Sequence, residues 1–192
     1  MYGYLWITHL EGAFVGIFSG VYFTLCAKGN AVKDIQIRHV EPSDYPSIIS
    51  VVNDWWGGRN MADMLPKLFF IHFRQTSFVA ERDGNIVGFL VGFISQSFSN
   101  EAYIHFAGVH PEFRKKGLGG ALYEQFFDAA KKLGRNVARC VTSPSNKGSV
   151  SFHLRLGFSM EPSQKDIAGI PVAENYDGKG GDRVLFYKTL GA

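Results

Sequence analysis

The chain has 192 residues, of which 46% are hydrophobic and 19% charged, so we expect a globular protein with a full core and not a disordered one. Its formal net charge of +3 is too small to predict a nucleic-acid-binding protein, but it is compatible with a polyanionic small ligand wherever the positive charge is local. Two cysteines, Cys26 and Cys140, predict neither a disulfide framework nor a zinc site, so we expect a reduced, cytoplasmic protein without a metal.

Residues 1–33 are predicted to be an apolar N-terminal extension, and the sequence leaves its role open. Between residues 2 and 26 the only formally charged residue is Glu11, so a helix rising about 1.5 Å per residue could span a bilayer there. The first basic residue is Lys28, which speaks against the basic start of a secretory signal. We weigh a membrane anchor confined to residues 1–30 against an extension that the main domain does not need.

From residue 34 onward the pattern changes to that of a soluble domain. Alternating apolar and polar residues predict a strand over residues 35–40, and helical spacing predicts a helix from residue 41 to the glycines at 57–58. A second helical stretch is expected over residues 61–73, where Pro66 must kink or split it. Next comes a predicted β-hairpin with strands at residues 77–81 and 85–95, joined at Arg82-Asp83-Gly84.

The second half of the chain predicts a strand–helix–strand unit. A strand at residues 102–109 precedes the most regular helix, at residues 117–133, in which apolar residues recur along one face. A strand at 137–141, a short helix at 146–156 and a final strand at 183–189 follow. Hairpin strands combined with a strand–helix–strand unit predict a mixed α/β sheet in one domain.

The segment between the strand and the long helix has the composition of an anion site. The first amides of a helix have no partner within it, and they carry the positive end of the helix dipole. Glycines allow a pyrophosphate to approach the backbone, and neighbouring cations add charge. The segment reads Arg114-Lys115-Lys116-Gly117-Leu118-Gly119-Gly120.

Two other phosphate-binding motifs do not fit this segment. A P-loop requires Gly-Lys followed by Ser or Thr, but Gly120 is followed by Ala121. A dinucleotide-binding fingerprint requires a glycine at the position of Leu122. The plain alternative is a glycine-rich helix start with solvated lysines, which we weigh as the weaker interpretation.

The segment resembles the signature of the GNAT superfamily of N-acetyltransferases, which has Arg or Gln, two residues, Gly, one residue, and then Gly or Ala after a strand. Here that pattern is Arg114-Lys115-Lys116-Gly117-Leu118-Gly119. A second segment, residues 146–158, is similar to the family's Asn, small or apolar pair, aromatic and Gly-Phe element. The resemblance covers residues 34–190 and concerns nothing in residues 1–33.

The resemblance implies a GNAT-like domain over residues 34–192, with acetyl-CoA as cosubstrate and no metal. The strands ending at Val109 and Val141 would splay apart, and the pantetheine arm would pair with backbone near Ala107 and Val109. The pyrophosphate would meet the amides of the basic glycine-rich segment, and Asn146 would contact the cofactor arm. A homodimer is compatible with this assignment.

The resemblance also implies the chemistry, which is direct transfer of an acyl group to a primary amine of a small molecule or peptide. The amine must lose a proton, the thioester oxygen needs a donor and the departing thiolate needs an acid. The Val109 amide is the implied oxyanion donor. His153 is the candidate acid because it stands where many members carry Tyr, whereas His105 is preferred to Tyr103 as the base, with a water relay as the alternative.

The acceptor site is expected around the end of the first predicted helix. Trp56 could hold a cationic amine by a cation–π contact, and Arg59 could hold a carboxylate. Tyr176, in a glycine-rich and therefore mobile turn, is predicted to form the opposite wall. The function from another class that stays open is a non-catalytic acyl-CoA-binding module, which would keep the phosphate segment but lack acid and base.

Overall fold

The structure is a computed structural model that describes residues 34–191. The predictions for residues 1–33, including the membrane anchor, lie outside these residues. Within residues 34–191, no helix combines the length and the apolar character needed to cross a membrane.

The described chain forms strands β1 to β9 and helices α1 to α5. The strands are β1 (Gln36–His39), β2 (Phe78–Arg82), β3 (Asn85–Ile94), β4 (Glu101–Val109), β5 (Val137–Thr142), β6 (Ser159–Met160), β7 (Lys165–Ile167), β8 (Ile170–Val172) and β9 (Val184–Thr189). The helices are α1 (Asp44–Ile49), α2 (Val52–Trp55), α3 (Phe69–His72), α4 (Leu118–Lys132) and α5 (Lys147–Arg155).

Seven of these strands form one sheet in the order β1-β2-β3-β4-β5-β9-β6, while β7 and β8 form a separate hairpin. Every neighbouring pair in the large sheet is antiparallel except β4 and β5, which are parallel and connected through α4. The predicted mixed α/β fold, with hairpin strands beside a strand–helix–strand unit, is confirmed. The two-residue turn between β2 and β3 has positive φ at Asp83 and Gly84, as the Asp-Gly hairpin predicts.

The helical predictions before β2 are too long. The first helix is split into α1 and α2 because Ser50 turns its hydroxyl back to the carbonyl of Ser47, which competes with the regular helical ladder. The second predicted helix is reduced to a 3₁₀ turn at Ala62–Met64 and the four-residue α3. Leu65, which precedes Pro66, has ψ of 72°, outside the helical region, as expected for a residue before proline.

The sheet separates two apolar clusters. On one side α4 contributes Leu118, Leu122 and Phe126, which recur at the spacing of one helical face and are buried against β2, β3 and β4. On the other side α1, α2 and α3 bury a second cluster that includes Trp55 from α2 and Phe106 from β4. Strand β4 is thus covered on both faces.

A β-bulge interrupts strand β4 at His105. In the β3–β4 ladder, Val91 pairs with Phe106 and the next residue, Gly92, pairs with Ile104. His105 therefore has no partner on β3. The extra residue turns the strand: Ile104 packs in the α4 cluster, whereas Phe106, two residues later, packs in the opposite cluster. Bulges of this kind redirect side chains, and here the redirection occurs beside the cleft described below.

Candidate active site

Strands β4 and β5 pair over a short stretch and then separate. The two strands are paired in parallel only from Glu101, opposite Val137, to Tyr103, opposite Arg139. Beyond these residues each strand continues without the other. A cleft of about 710 Å³ opens where the pairing stops. Its lining includes Ile104, Ala107, Cys140 and Thr142 from the two strands. The resemblance implies this splay.

The separation leaves backbone groups of β4 directed into the gap. His110 donates its N–H to Val87, which makes Gly88 and Val109 a non-hydrogen-bonded pair of the antiparallel β3–β4 ladder. The backbone N–H and C=O of Val109 therefore point away from β3, toward the gap. The alternation of the ladder places Ala107 in the same way. These are the two residues predicted to pair with a pantetheine arm.

The basic glycine-rich segment forms a tight turn at the start of α4. Lys115 and Gly117 have φ of 60° and 89°, a left-handed conformation that the glycine adopts without strain. Beyond Arg114, the first backbone N–H with a hydrogen-bond acceptor is that of Ala121, which donates to the carbonyl of Gly117. No acceptor among the described residues bonds the amides of residues 115–120. Such amides, at the positive end of a helix dipole, form a site for an anion.

Arg114 fastens this turn to its surroundings. Its Nε donates to the carbonyl of Val109 at 3.0 Å, and its Nη2 donates to the carbonyl of Trp55 at the end of α2. The guanidinium also lies 5.9 Å from the ring centre of Trp56. Because both of its partners are neutral carbonyls, the positive charge stays uncompensated beside the free amides.

A sequence model of the acetyltransferase (GNAT) family matches residues 37–158, more than half of the 192 residues. The chain belongs to the GNAT acetyltransferase family. The matched span begins in β1 and ends after α5, so it contains the splayed strands and the glycine-rich turn at the start of α4 of this GNAT protein.

Individual relatives share shorter stretches with the GNAT protein. An uncharacterized N-acetyltransferase of Methanocaldococcus jannaschii is 40% identical over 85 residues, which are 42% of this chain and 38% of that protein. The L-2,4-diaminobutyric acid acetyltransferase of Nocardia farcinica is 30% identical over 80 residues, 42% of each chain. The chain thus spans about two fifths of these relatives' length. The crystal structure of Ard1 from Thermoplasma volcanium has the same fold, with a TM-score of 0.67 at 19% identity, over 83% of this chain and 99% of that one.

His153 lines the cleft of the GNAT domain, but both of its ring nitrogens have partners. Nδ1 lies 2.8 Å from the carbonyl oxygen of Ser149, one helical turn earlier, so Nδ1 carries the proton and donates it. Nε2 is left as an acceptor, and Tyr123 Oη lies 2.9 Å from it. Burial lowers the pKa of His153 below its ordinary value, which keeps the ring neutral. The predicted acid therefore presents a lone pair, and not a proton, to Tyr123.

The burial of His153 predicts a loss of stability on mild acidification. Its pKa is lower in the folded than in the unfolded protein, so the unfolded state binds a proton first as the pH falls below about 6.5. We expect the free energy of unfolding to decrease from about pH 7 to about pH 5.5, above the range in which carboxylates titrate. Urea unfolding at several pH values measures it, and His153→Gln is expected to flatten the curve. An unchanged slope in that variant would contradict the assignment.

The two other predicted catalytic side chains lie on β4, beside the bulge. Tyr103 stacks on Phe93 with ring centres 5.4 Å apart, and burial together with the nearby Tyr176 raises its pKa, which makes it a poor base. His105 stacks on Phe69, and its Nε2 donates to the Met64 carbonyl at 2.8 Å. That bond leaves His105 Nδ1 as the acceptor nitrogen, in line with the predicted preference for His105 over Tyr103.

Of the three residues predicted to bind the acceptor, Trp56 and Arg59 line the cleft and Tyr176 does not. Trp56 lines the cleft and packs so closely on β4 that a Cβ at Gly108 would lie 2.6 Å from its ring, but Arg114 already lies near that ring. Arg59 lines the cleft, and the described residues supply no carboxylate partner for it. Tyr176 is half exposed and outside the lining.

The turn between β8 and β9 contributes Asp177, which follows Tyr176 in the segment predicted as the opposite wall, and Arg183, which the sequence did not single out. Asp177 and Arg183 line the cleft in place of Tyr176, and they form an ion pair at 2.6 Å. The turn predicted to be mobile is cross-linked, because Asp182 accepts from the Asn175 amide and Asn175 accepts from the Gly180 amide. The sequence indicated the segment at residues 175–178 and the glycines of this turn, but the partner of each polar side chain depends on the folded loop.

The remaining predicted contacts concern α5 and β5. Asn146 lines the cleft and caps α5 by accepting from the Ser149 amide at 3.1 Å. Cys140 is buried, and burial raises the pKa of its thiol, as expected for a strand residue and not for a nucleophile. Tyr123, which the sequence did not single out, also lines the cleft. Among the described residues, no group of three His, Cys, Asp or Glu side chains could hold a metal ion.

Proposed function

We propose that this chain is an acetyl-CoA-dependent N-acetyltransferase that transfers the acetyl group to a primary amine by direct attack on the thioester. One observation carries the proposal: unbonded amides at residues 115–120 stand at the open end of a gap into which Ala107 and Val109 direct their backbone groups. A diphosphate joined to an extended amide-containing arm matches both features at once. Membership of the GNAT family supports this choice of cosubstrate.

The roles of the chain's residues follow from their positions. The amides of residues 115–120, with the charges of Arg114, Lys115 and Lys116, would hold the diphosphate. The backbone of Ala107 and Val109 would pair with the arm, and the Val109 N–H would stabilise the oxyanion. His105 Nδ1 would accept a proton from the incoming amine, whose ordinary pKa of about 10.4 keeps it charged in water.

The acceptor is proposed to enter between Trp56, Arg59 and the ion pair of Asp177 and Arg183. Arg59 would pair with a carboxylate on the acceptor, because no described side chain neutralises it. The Nocardia relative named for L-2,4-diaminobutyric acid makes diamino acids a rational first choice for testing.

One observation favours a second candidate, a non-catalytic acyl-CoA-binding module. Both nitrogens of His153 are engaged within the protein, so the predicted acid is not free to donate directly. A module of this kind would keep the cleft and the anion site but release no thiol.

The two candidates are separated by incubating the purified full chain with acetyl-CoA and a panel of amines while free thiol is followed. The panel should hold diamino acids, simple diamines, and peptides with a free N-terminus or a lysine. Acceptor-dependent thiol release supports the acetyltransferase. Tight binding of coenzyme A without release for any acceptor supports the module, and failure to bind coenzyme A contradicts both.

A further inference from the structure

The further inference rests on the proposed function and concerns a pair of buried polar side chains that face each other from two helices. Tyr123 is on α4 and His153 on α5, and each has only 4% of its surface exposed. Apolar rings surround them: Phe186 stacks on His153 at 4.9 Å, and Phe152 meets Tyr123 edge-on at 5.2 Å. Both nevertheless line the cleft. A polar pair kept in such apolar surroundings costs stability unless every group is bonded, and here every group is bonded.

The bonding pattern fixes the direction of the proton. The Ser149 carbonyl can only accept, so His153 Nδ1 must donate to it, and the neutral ring then has a lone pair on Nε2. The Tyr123 hydroxyl donates into that lone pair at 2.9 Å. The oxygen of Tyr123 keeps its own lone pairs, so the hydroxyl can receive a second proton from the cleft while it delivers its first to His153.

The pair lies near the closed end of the gap. Cys140 follows directly after Arg139, the last β5 residue paired with β4, and Cys140 and Tyr123 are near neighbours in the same buried cluster. The anion site is at the other, open end, after Val109. The five residue steps from Val109 to Ile104 span roughly 17 Å at about 3.3 Å per residue. A cofactor anchored at the open end would bring its far end, the thioester, toward Tyr123.

We propose that Tyr123 and His153 form a proton shuttle in which the Tyr123 hydroxyl touches the reacting atoms and His153 stores the proton. After the amine adds to the thioester carbon, Tyr123 Oη takes a proton from the new ammonium nitrogen as its own proton moves to His153 Nε2. The carbon–sulfur bond then breaks, the sulfur takes the proton of Tyr123, and Nε2 returns its proton to the hydroxyl. The nitrogen loses one proton, the sulfur gains one, and the pair is restored.

This route fits the surroundings of both groups. Sulfur and nitrogen are bonded to the same carbon of the adduct, so one hydroxyl can serve both in turn. Burial raises the pKa of Tyr123 well above its ordinary value, and the shuttle never forms the phenolate. Burial also lowers the pKa of His153, which makes its transient imidazolium a strong acid toward the thiolate. The nearby ionisable groups are Cys140 from β5 and Tyr103 from β4, with Asp177 and Arg183 beyond Tyr103.

The test uses Tyr123→Phe, His153→Gln and the double variant, with Tyr187→Phe on β9 as the control. Tyr123→Phe keeps the ring and removes the hydroxyl, whereas glutamine can accept the hydroxyl proton but cannot store it. We expect each single variant to lower kcat by about 100-fold or more while the Kd for coenzyme A changes little. Because the two groups act as a unit, the double variant should lose no more than either single one.

Three outcomes overturn the shuttle: an unchanged kcat in Tyr123→Phe, losses that multiply in the double variant, or ¹⁵N NMR of the wild-type protein that finds the His153 proton on Nε2. The NMR measurement needs no substrate. If the wild type turns over and the kcat of Tyr123→Phe is unchanged, the shuttle is wrong but the proposed function stands. Absence of turnover with every acceptor removes the proposed function and the shuttle with it.

Discussion

Replacing Gly117 by valine is expected to raise the Kd for coenzyme A by about 10- to 100-fold, because each lost hydrogen bond to a charged group is worth about 1.5–3 kcal/mol. Gly117 has φ of 89°, a conformation that a β-branched residue cannot adopt without strain. A Cβ there would meet no atom within 4 Å, so crowding in the free protein is not the cause. The turn must instead change its backbone conformation, and the amides of residues 115–120 cease to converge. Isothermal titration calorimetry measures the effect.

The matched control is Gly134→Val at the other end of α4. Gly134 also has positive φ, at 75°, and a Cβ there would likewise meet no atom within 4 Å. The backbone penalty is therefore of the same kind, but the site is a full helix away from the proposed diphosphate. We expect both variants to lose stability and only Gly117→Val to lose affinity. Equal affinity in the two variants would show that the turn does not hold the cofactor.

A second large effect is expected for Gly92→Ala, this time on stability. A Cβ at Gly92 would lie 2.5 Å from Cε2 of Phe126 and 2.6 Å from the carbonyl oxygen of Tyr103. Phe126 is fully buried and Tyr103 contributes backbone, so neither can yield cheaply. We expect a loss of about 1–3 kcal/mol in the free energy of unfolding, measured by urea denaturation. For a chain of this size each kcal/mol lowers the melting temperature by about 2–4 °C.

Gly88→Ala in the same strand is the comparison for Gly92→Ala. Its nearest contacts would be a side-chain methyl of Leu122 at 3.2 Å and the carbonyl oxygen of Gly108 at 3.3 Å, so the neighbours need to shift by only a few tenths of an ångström. The expected loss is clearly smaller than at Gly92. Equally small losses in both variants would mean that the β3–β4 bulge has more room than the structure shows.

The parts of the fold that the sequence predicted are those governed by local rules. The Asp83-Gly84 turn, the apolar face of α4 and the glycine-rich start of that helix depend on backbone freedom or on spacing within one element. Strands β6, β7 and β8 were missed because two or three residues show no period, and their pairing is set by β9 or by each other. The helical stretch expected over residues 61–73 is split at Pro66, as that proline predicts, but its two pieces are shorter than the helical spacing indicates.

The cleft was predictable only in part, for a different physical reason. The basic glycine-rich turn is one continuous segment, so its residues can be recognised together in the sequence. Tyr123 and His153 are separated by 30 positions and meet only after α4 and α5 pack on the sheet. The links from Arg114 to the backbones of Val109 and Trp55 also depend on where distant elements meet. No periodicity in the sequence records contacts of this kind.

The short β4–β5 pairing has a consequence for the free protein. Strands β1 to β4 form one half of the sheet and strands β5, β9 and β6 the other, and the strand pairing between the halves covers only three register pairs, at Glu101, Ala102 and Tyr103. Under the proposed function, the cofactor arm takes the place of a missing strand and bridges the two halves of the sheet. Occupancy then adds to folding stability through ligand linkage, so the cellular supply of acyl-CoA would set the lifetime of this protein as well as its rate.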